Sequence, residues 1–322
     1  MKHTTIRAFA SSALLAVSML AQAQTWPGQT IKIIVPFTPG TGMDTIARTV
    51  SPKLSERLGQ PVVVQNTPGA SGNIGADNVA KATPDGYTLL MGANTMLMAS
   101  QLYKNVPFNP VDDFSSVSMA AFGTLMLVAN PKTGIKSMQD LIDQAKAKPG
   151  SVVYGSPGIG TPHHMAMELF KSKTQLFMLH VPYKGTAGYV TDLLAGELMV
   201  GFLPVHVAQG FVSSGKLTAL AVGGNARHPV AANVATFQEL GVKDVNVDMW
   251  YAFFAPNKTP APVVNRLNTE IAAIMKLPEV RTVLSKAGLD AASSSTGELT
   301  TTVKQDYQRW GAVIKRNGIT AE

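Results

Sequence analysis

The chain has no cysteine. That absence excludes a disulfide framework, a thiolate metal site and a cysteine nucleophile together. It also excludes a lipidated export signal, which needs a cysteine at its cleavage point. Long hydrophobic runs are missing after the first 23 residues, and none approaches the roughly 20 residues that a membrane-spanning helix needs. Basic clusters are missing too. The 27 Lys and Arg against 20 Asp and Glu give a net charge of +7, but the basic residues are scattered, with no run of five and no interleaved aromatics. Nucleic acid is therefore not an expected partner.

The N-terminus reads as an export signal: Lys2 and Arg7, an apolar and small-residue core from Ala8 to Leu20, then the cleavage pattern Ala21-Gln22-Ala23. The expected mature chain starts at Gln24 and is a soluble periplasmic protein, not embedded in a membrane. Without disulfides it must be stabilised by core burial, which about 300 residues can supply in two domains.

Short apolar strands alternate with longer helical stretches, the signature of an α/β fold. The segment Ile31–Arg48, IKIIVPFTPGTGMDTIAR, is a strand that empties through a Pro/Gly loop into a helix. Such a junction presents free backbone N–H groups and the positive end of a helix dipole, which suits a carboxylate or a phosphate. A second such junction occurs at Val152–Phe170, VVYGSPGIGTPHHMAMELF, and two far apart in sequence suggest a ligand held between two lobes. Pro52, inside the first helix, predicts a kink or break with Ser51 as a new cap. Leu125–Ala129, ending at Asn130-Pro131, is the expected crossing into the second lobe, and Val247–Ala255 the return. Leu176–Val181 reads as a strand. Leu299, Val303, Tyr307, Trp310 and Ile314 form a core-facing stripe on a C-terminal helix. No internal sequence repeat stands out.

Chemical motifs fail on inspection. The first loop lacks the lysine of a nucleotide P-loop, and Gly158-Ile159-Gly160 is followed by His163 where a dinucleotide loop needs glycine. Ser71 and Ser156 each miss one glycine of a hydrolase elbow. His163 and His164 are adjacent on a helix and cannot chelate one metal together. His164 is expected to make a local hydrogen bond, and His163 to face solvent. Asp44 is expected to stabilise the helix start, fix the glycine loop or accept a hydrogen bond from a ligand. No catalytic residue, metal or cofactor is predicted.

Several blocks in order resemble one family, the periplasmic solute receptors of tripartite tricarboxylate transporters, also called Bug proteins. They include IVPFTPGTGMDTIAR, GQPVVVQNTPGASGNIGADNVAKATPDGYTLLMG, YKNVPFNPVDDF, YGSPGIGTPHH, HVPYKGTAGYVTDLLAGEL, GKLTALAV and WYAFFAPNKT. The resemblance implies a two-lobe α/β periplasmic binding protein of the type II, Venus-flytrap kind. Residues 24–124 and 250–322 would form lobe 1, and 125–249 lobe 2. It implies that a carboxylate is held by backbone N–H groups and ordered water at Thr38–Asp44 and Ser156–His164, with Thr186 a further contact. The site residues expected on this basis are Phe37, Thr38, Gly40, Thr41, Gly42, Asp44, Ser156, Gly158, Thr161, His164, Thr186 and Leu203. Three departures from the family pattern stand out: Thr41 in place of a second glycine, and Leu203 and Met199 where acidic residues are common. The loss of the acid at Leu203 disfavours an amino-acid ligand, and with His206 suggests a less polar carboxylate. Phe37 and Trp250 are candidate wall residues. The expected function is delivery of a small organic acid to membrane transporter subunits by a monomeric receptor. A sensory module docking on a signalling protein and a secreted hydrolase are the alternatives.

Overall fold

The computed structural model describes residues 26–245 and 249–320. The expected export signal, and Val247 at the expected start of the return strand, lie outside the described residues. Two mixed sheets carry the architecture. Their strands, in chain order, are β1 Ile31–Val35, β2 Val62–Asn66, β3 Thr88–Ala93, β4 Phe114–Gly123, β5 Leu125–Ala129, β6 Val153–Ser156, β7 Leu179–Pro182, β8 Val200–Pro204, β9 Thr218–Val222, β10 Met249–Pro256 and β11 Leu289–Ala291. The first sheet runs β11-β4-β10-β3-β1-β2 and the second β7-β6-β8-β5-β9.

Apart from β11, the two sheets share one plan. In the first, β1 is parallel to β2 and β3, and β10 lies antiparallel between β3 and β4. In the second, β6 is parallel to β7 and β8, and β5 lies antiparallel between β8 and β9. The antiparallel member of each sheet is the strand that arrives from the other lobe. Only Thr124 separates β4 from β5. The repeat that no sequence comparison within the chain suggests is thus present in the topology.

Each parallel strand feeds a helix. The helices are α1 Gly42–Leu58, α2 Asn73–Ala80, α3 Thr95–Leu102, α4 Met138–Ala147, α5 Pro162–Thr174, α6 Thr186–Ala195, α7 Val205–Ser213, α8 Ala261–Ile274, α9 Pro278–Lys286 and α10 Thr296–Arg316. The junctions β1–α1, β2–α2 and β3–α3 correspond to β6–α5, β7–α6 and β8–α7. In open α/β sheets, ligands bind outside the carboxyl ends of such strands.

Burial on both faces explains the unbroken apolar runs of β5 and β10; every residue of these two strands is buried. The main core includes Ile33, Leu89 and Phe253 and continues into lobe 2 through Leu127 and Phe202. Leu90, Phe114, Trp250 and Phe254 pack on the opposite face of the first sheet. Leu203 packs with Met126, Val128 and Tyr189 on the opposite face of the second.

Two expectations change, and one helix was not read at all. The helix α1 runs through Pro52 without a break, and Ser51 is a buried helical residue instead of a cap. Proline removes one N–H from the ladder, but Val50, Ser51 and Leu54 are buried together and hold the turn in line. The strand expected at Leu176–Val181 shrinks to β7, an edge strand on which Leu179 and Val181 are exposed while Leu176 turns into the core. The helix α3 carries no periodic signal because Thr95 to Ala99 are all buried.

The helix α10 closes lobe 1. Ser295 and Glu298 form a reciprocal capping box, with the Glu298 N–H donating to Ser295 Oγ at 3.2 Å and the Ser295 N–H to Glu298 Oε2 at 2.8 Å. Leu299, Val303, Trp310 and Ile314 are buried beneath it. Trp250 Nε1 donates to Asp306 Oδ2 at 2.7 Å. Loss of the cap in Ser295→Ala is expected to cost about 1 kcal/mol, measured as a lower urea midpoint with unchanged slope.

Candidate functional site

The β1–α1 and β6–α5 junctions are built alike. Thr41 caps α1, its Oγ1 accepting the Asp44 N–H at 3.4 Å. Thr161 caps α5 in the same way, accepting the His164 N–H at 3.4 Å. The residue three after each cap then reaches back to the glycine before it. Gly40 N–H donates to Asp44 Oδ2 at 3.0 Å, and Gly160 N–H donates to His164 Nδ1 at 3.2 Å. Gly40 (φ +84°) and Gly160 (φ +75°) hold left-handed conformations that favour glycine. The shared pattern is Gly-Thr-x-x followed by a side-chain acceptor, aspartate in one lobe and imidazole in the other.

Both acceptors turn back into their own lobes. The Asp44 carboxylate also receives Arg48 Nε at 3.0 Å and Asn66 Nδ2 at 2.9 Å. Burial alone would raise its pKa, but the bonds from Arg48, the Gly40 N–H and Asn66 outweigh it, and the group stays below its ordinary value. His164 stacks on His180 (ring centroids 4.3 Å apart), which stacks on Tyr154. Burial, helped by the charge of Lys171, pushes His164 down to about 3. It is therefore neutral at physiological pH, and accepting at Nδ1 places its proton on Nε2. Ser156 Oγ pairs with His180 Nε2 at 2.7 Å and receives the Gly158 N–H at 3.2 Å, bracing the loop.

Between the lobes lies a small cavity of about 50 Å³ that opens through a mouth to solvent. Its lining gathers first turns of helices from both lobes: Thr41, Gly42 and Met43 of the α1 junction, Asn94 and Thr95 at α3, Thr161, Pro162 and His163 at α5, and Thr186 at α6. The first N–H groups of a helix have no intrahelical acceptor, so several helices offer donors to one space. Phe37, Ala93, Pro157, Pro204 and Met249 add apolar wall, and Tyr251 its phenol. Among the described residues, no Asp, Glu, Lys or Arg lines this cavity.

Of the residues expected from the sequence, Phe37, Thr41, Gly42, Thr161 and Thr186 line the cavity. Gly158 lines an outer compartment with Ser71, Tyr103 and Lys184, partitioned from the first by Phe37 and Pro157. Thr38 stands at the lobe seam, where a Cβ added to Gly185 would lie 2.5 Å from its Oγ1. Gly40, Asp44, Ser156 and His164 shape the two junctions and do not line the cavity. Leu203 is corrected: it is wholly buried in the lobe 2 core, because strand alternation turns it away from the cleft. Trp250 likewise belongs to a core face, and His206 packs against Gly288 outside the cavity.

His163 is the clearest reversal. It is only 8% exposed and lines the cavity, where solvent exposure was expected. Asn94, Thr95, Met249 and Tyr251 were missed outright. They sit in continuous apolar runs, where a polar atom aimed at a cleft leaves no periodic trace.

Two lobes of like topology, joined through crossing strands and closed around a cavity at their strand ends, define a bilobal solute-binding protein. The chain belongs to the tripartite tricarboxylate transporter family of receptors, whose model matches residues 46–319. It is 35% identical over 315 residues to a UPF0065 protein of Bordetella pertussis, covering 98% of this chain and 97% of that one. Among solved structures it is similar to R. palustris Rpa4515 with adipate (TM-score 0.87, 32% identity, 92% of this chain and 99% of that one). It is also similar to MatC from Rhodopseudomonas palustris with bound malate (TM-score 0.85, 27% identity, 90% and 100% covered).

The depressed Asp44 makes a pH prediction. Its stabilisation is complete above the ordinary value of 3.8 and is lost as pH falls through the lower folded value. Asp44→Asn should cost about 1.5–3 kcal/mol at neutral pH, and the gap to wild type should close as acid protonates Asp44. Urea unfolding from pH 7 downward measures it.

Proposed function

We propose that this chain is an exported periplasmic receptor that closes its two lobes on a small organic carboxylate and hands it to tripartite tricarboxylate-type transporter subunits. The single observation that carries this reading is the convergence of helix first turns from both lobes on a cavity without a charged side chain. Backbone N–H groups and helix dipoles hold an anion without an arginine clamp. In a space shut from water their electrostatic contacts strengthen. The absence of a lining carboxylate among the described residues argues against a ligand ammonium group. Adipate and malate, bound by two structural neighbours, set the size class.

In this reading residues 24–124 with 250–322 and residues 125–249 move as the two lobes. The mature chain begins after cleavage at Ala23 and acts as a monomer. Thr41, Gly42, Thr161 and Thr186 contact the ligand, while Gly40, Asp44, Ser156 and His164 hold the junctions. A micromolar receptor needs about 8 kcal/mol of binding free energy, within reach of a few such bonds plus apolar contact with Phe37 and Met249.

Closure brings backbone against backbone. A Cβ added to Gly160 would lie 2.6 Å from the Ala99 Cα across the cleft. Thermal-shift screening of mono-, di- and tricarboxylates should find one that adds roughly 2.7 kcal/mol at about 100 times its dissociation constant. Gly160→Ala should reduce that shift by holding the lobes apart. If only uncharged solutes shift the melt, the anion site is wrong.

A further inference from the structure

The helix α10 is rooted in lobe 1, but its end touches lobe 2. In its third quarter it is tied to α3: Gln101 Nε2 donates to the Tyr307 carbonyl at 3.0 Å, and Trp310 is buried. Two turns later the partner changes. Ser172, on α5 of lobe 2, donates its hydroxyl to Asn317 Oδ1. Asn317 Nδ2 in turn donates to the Val313 carbonyl at 2.8 Å and closes the helix.

The chain then makes a Schellman turn. Gly318 is left-handed (φ +58°), its N–H donates to the Lys315 carbonyl at 3.4 Å, and the Ile319 N–H reaches back to the Ile314 carbonyl at 3.0 Å. The turn folds Ile319 under the helix, where it is 6% exposed. Its surroundings come from both lobes. Ile319 and Thr320 line one groove with Leu102 and Tyr103 at the end of α3 and with Ile159 of the β6–α5 loop. Ile159 packs on the apolar cluster that holds Ile314 and Ile319. Tyr103 and Ile159 also line the outer compartment, and Gly160, next along, is the residue that meets Ala99. The tail therefore sits where the two lobes come closest. If the lobes part, Ile159 and Ser172 leave with lobe 2 while α10 stays with lobe 1, and the Ile319 side chain meets water at a cost proportional to the apolar area uncovered.

Resting on the receptor reading above, we propose that Asn317, Gly318 and Ile319 form a latch that docks on lobe 2 as the lobes meet and favours the closed form before any solute arrives. The latch is a third connection between the lobes, beside the two strand crossings, and it is the one that can be released. A solute then completes a closure that is already partly populated, and its departure requires Ile319 to undock.

The absence of native cysteine makes the test direct. Glu56→Cys on α1 and Lys146→Cys on α4, exposed positions in the two lobes, take one pair of nitroxide labels. Double electron–electron resonance then reads their separation in protein stripped of solute by unfolding and refolding. The otherwise unchanged chain should show two separations, the closed one that of the structure. Ile319→Asp should lower the ratio of closed to open by about threefold or more, and Ser172→Ala should move it the same way by less. Should Ile319→Asp fail to fold, Ile319→Ala makes the same comparison. A tail that only stabilises lobe 1 would lower the urea midpoint of these variants and leave the ratio unchanged. That result, or a wholly open population before any tail variant is made, overturns the proposal. If one separation is common to the unchanged chain, Ile319→Asp and Gly160→Ala, the lobes do not part, and it is the two-lobe receptor reading that fails.

Discussion

The interaction on which the rest depends is the bond from a glycine N–H to the side chain four residues on, Gly40 to Asp44 and Gly160 to His164. Each bond folds the loop over the start of its helix and consumes a donor that would otherwise compete for the ligand. The threonine cap between them consumes another. The donors that remain beside the cavity are the N–H groups of Gly42 and Met43 in α1 and, since Pro162 has none, that of His163 in α5. Asp44 and His164 thus hold the two junctions from behind and do not line the cavity.

The chain path explains why two such loops face each other. The antiparallel strand of each sheet is the one by which the chain enters from the other lobe, so each sheet is completed by one crossing. The β5 strand extends directly from β4 and is buried on both faces. Two copies of one topology related in this way bring corresponding strand ends together, and the ligand space is what lies between them. Glycines at the seam, notably Gly160 against Ala99, let the two backbones approach without intervening side chains.

The two-lobe α/β fold was legible in the sequence because strand-loop-helix junctions rich in glycine are conspicuous, and both junctions picked out that way contribute to the cavity's lining. Thr41, Thr161 and Thr186 were expected from the family resemblance; that Thr41 and Thr161 are helix caps is what the structure adds. What could not be read was direction. Leu203 and Trp250 lie near the cleft in sequence, but a strand alternates its faces, and both point into core. His163 and His164 present the converse problem: adjacency on a helix means different directions, but not which of the two faces the cavity. Tyr251 lies in a strand whose every residue is buried, so its hydroxyl is invisible to any hydrophobic pattern. The Pro52 expectation failed because buried neighbours on both sides of the proline hold one helix together.

The crossing at Thr124 sets a gradient of travel. Gly123 is in register with Met249 and Leu125 with Pro204, so two residues of the cavity floor sit beside the point where the chain changes lobes. The Thr124 carbonyl also accepts the Val205 N–H at 2.9 Å, which ties that point to the start of α7. A rotation about such a crossing moves each atom in proportion to its distance from the axis. In the receptor reading, in which the lobes rotate about such crossings, Met249 and Pro204 lie where the wall of the cavity moves least. The part of the cavity beside the crossing is thus shaped in advance by strand pairing, whatever the separation of the two rims.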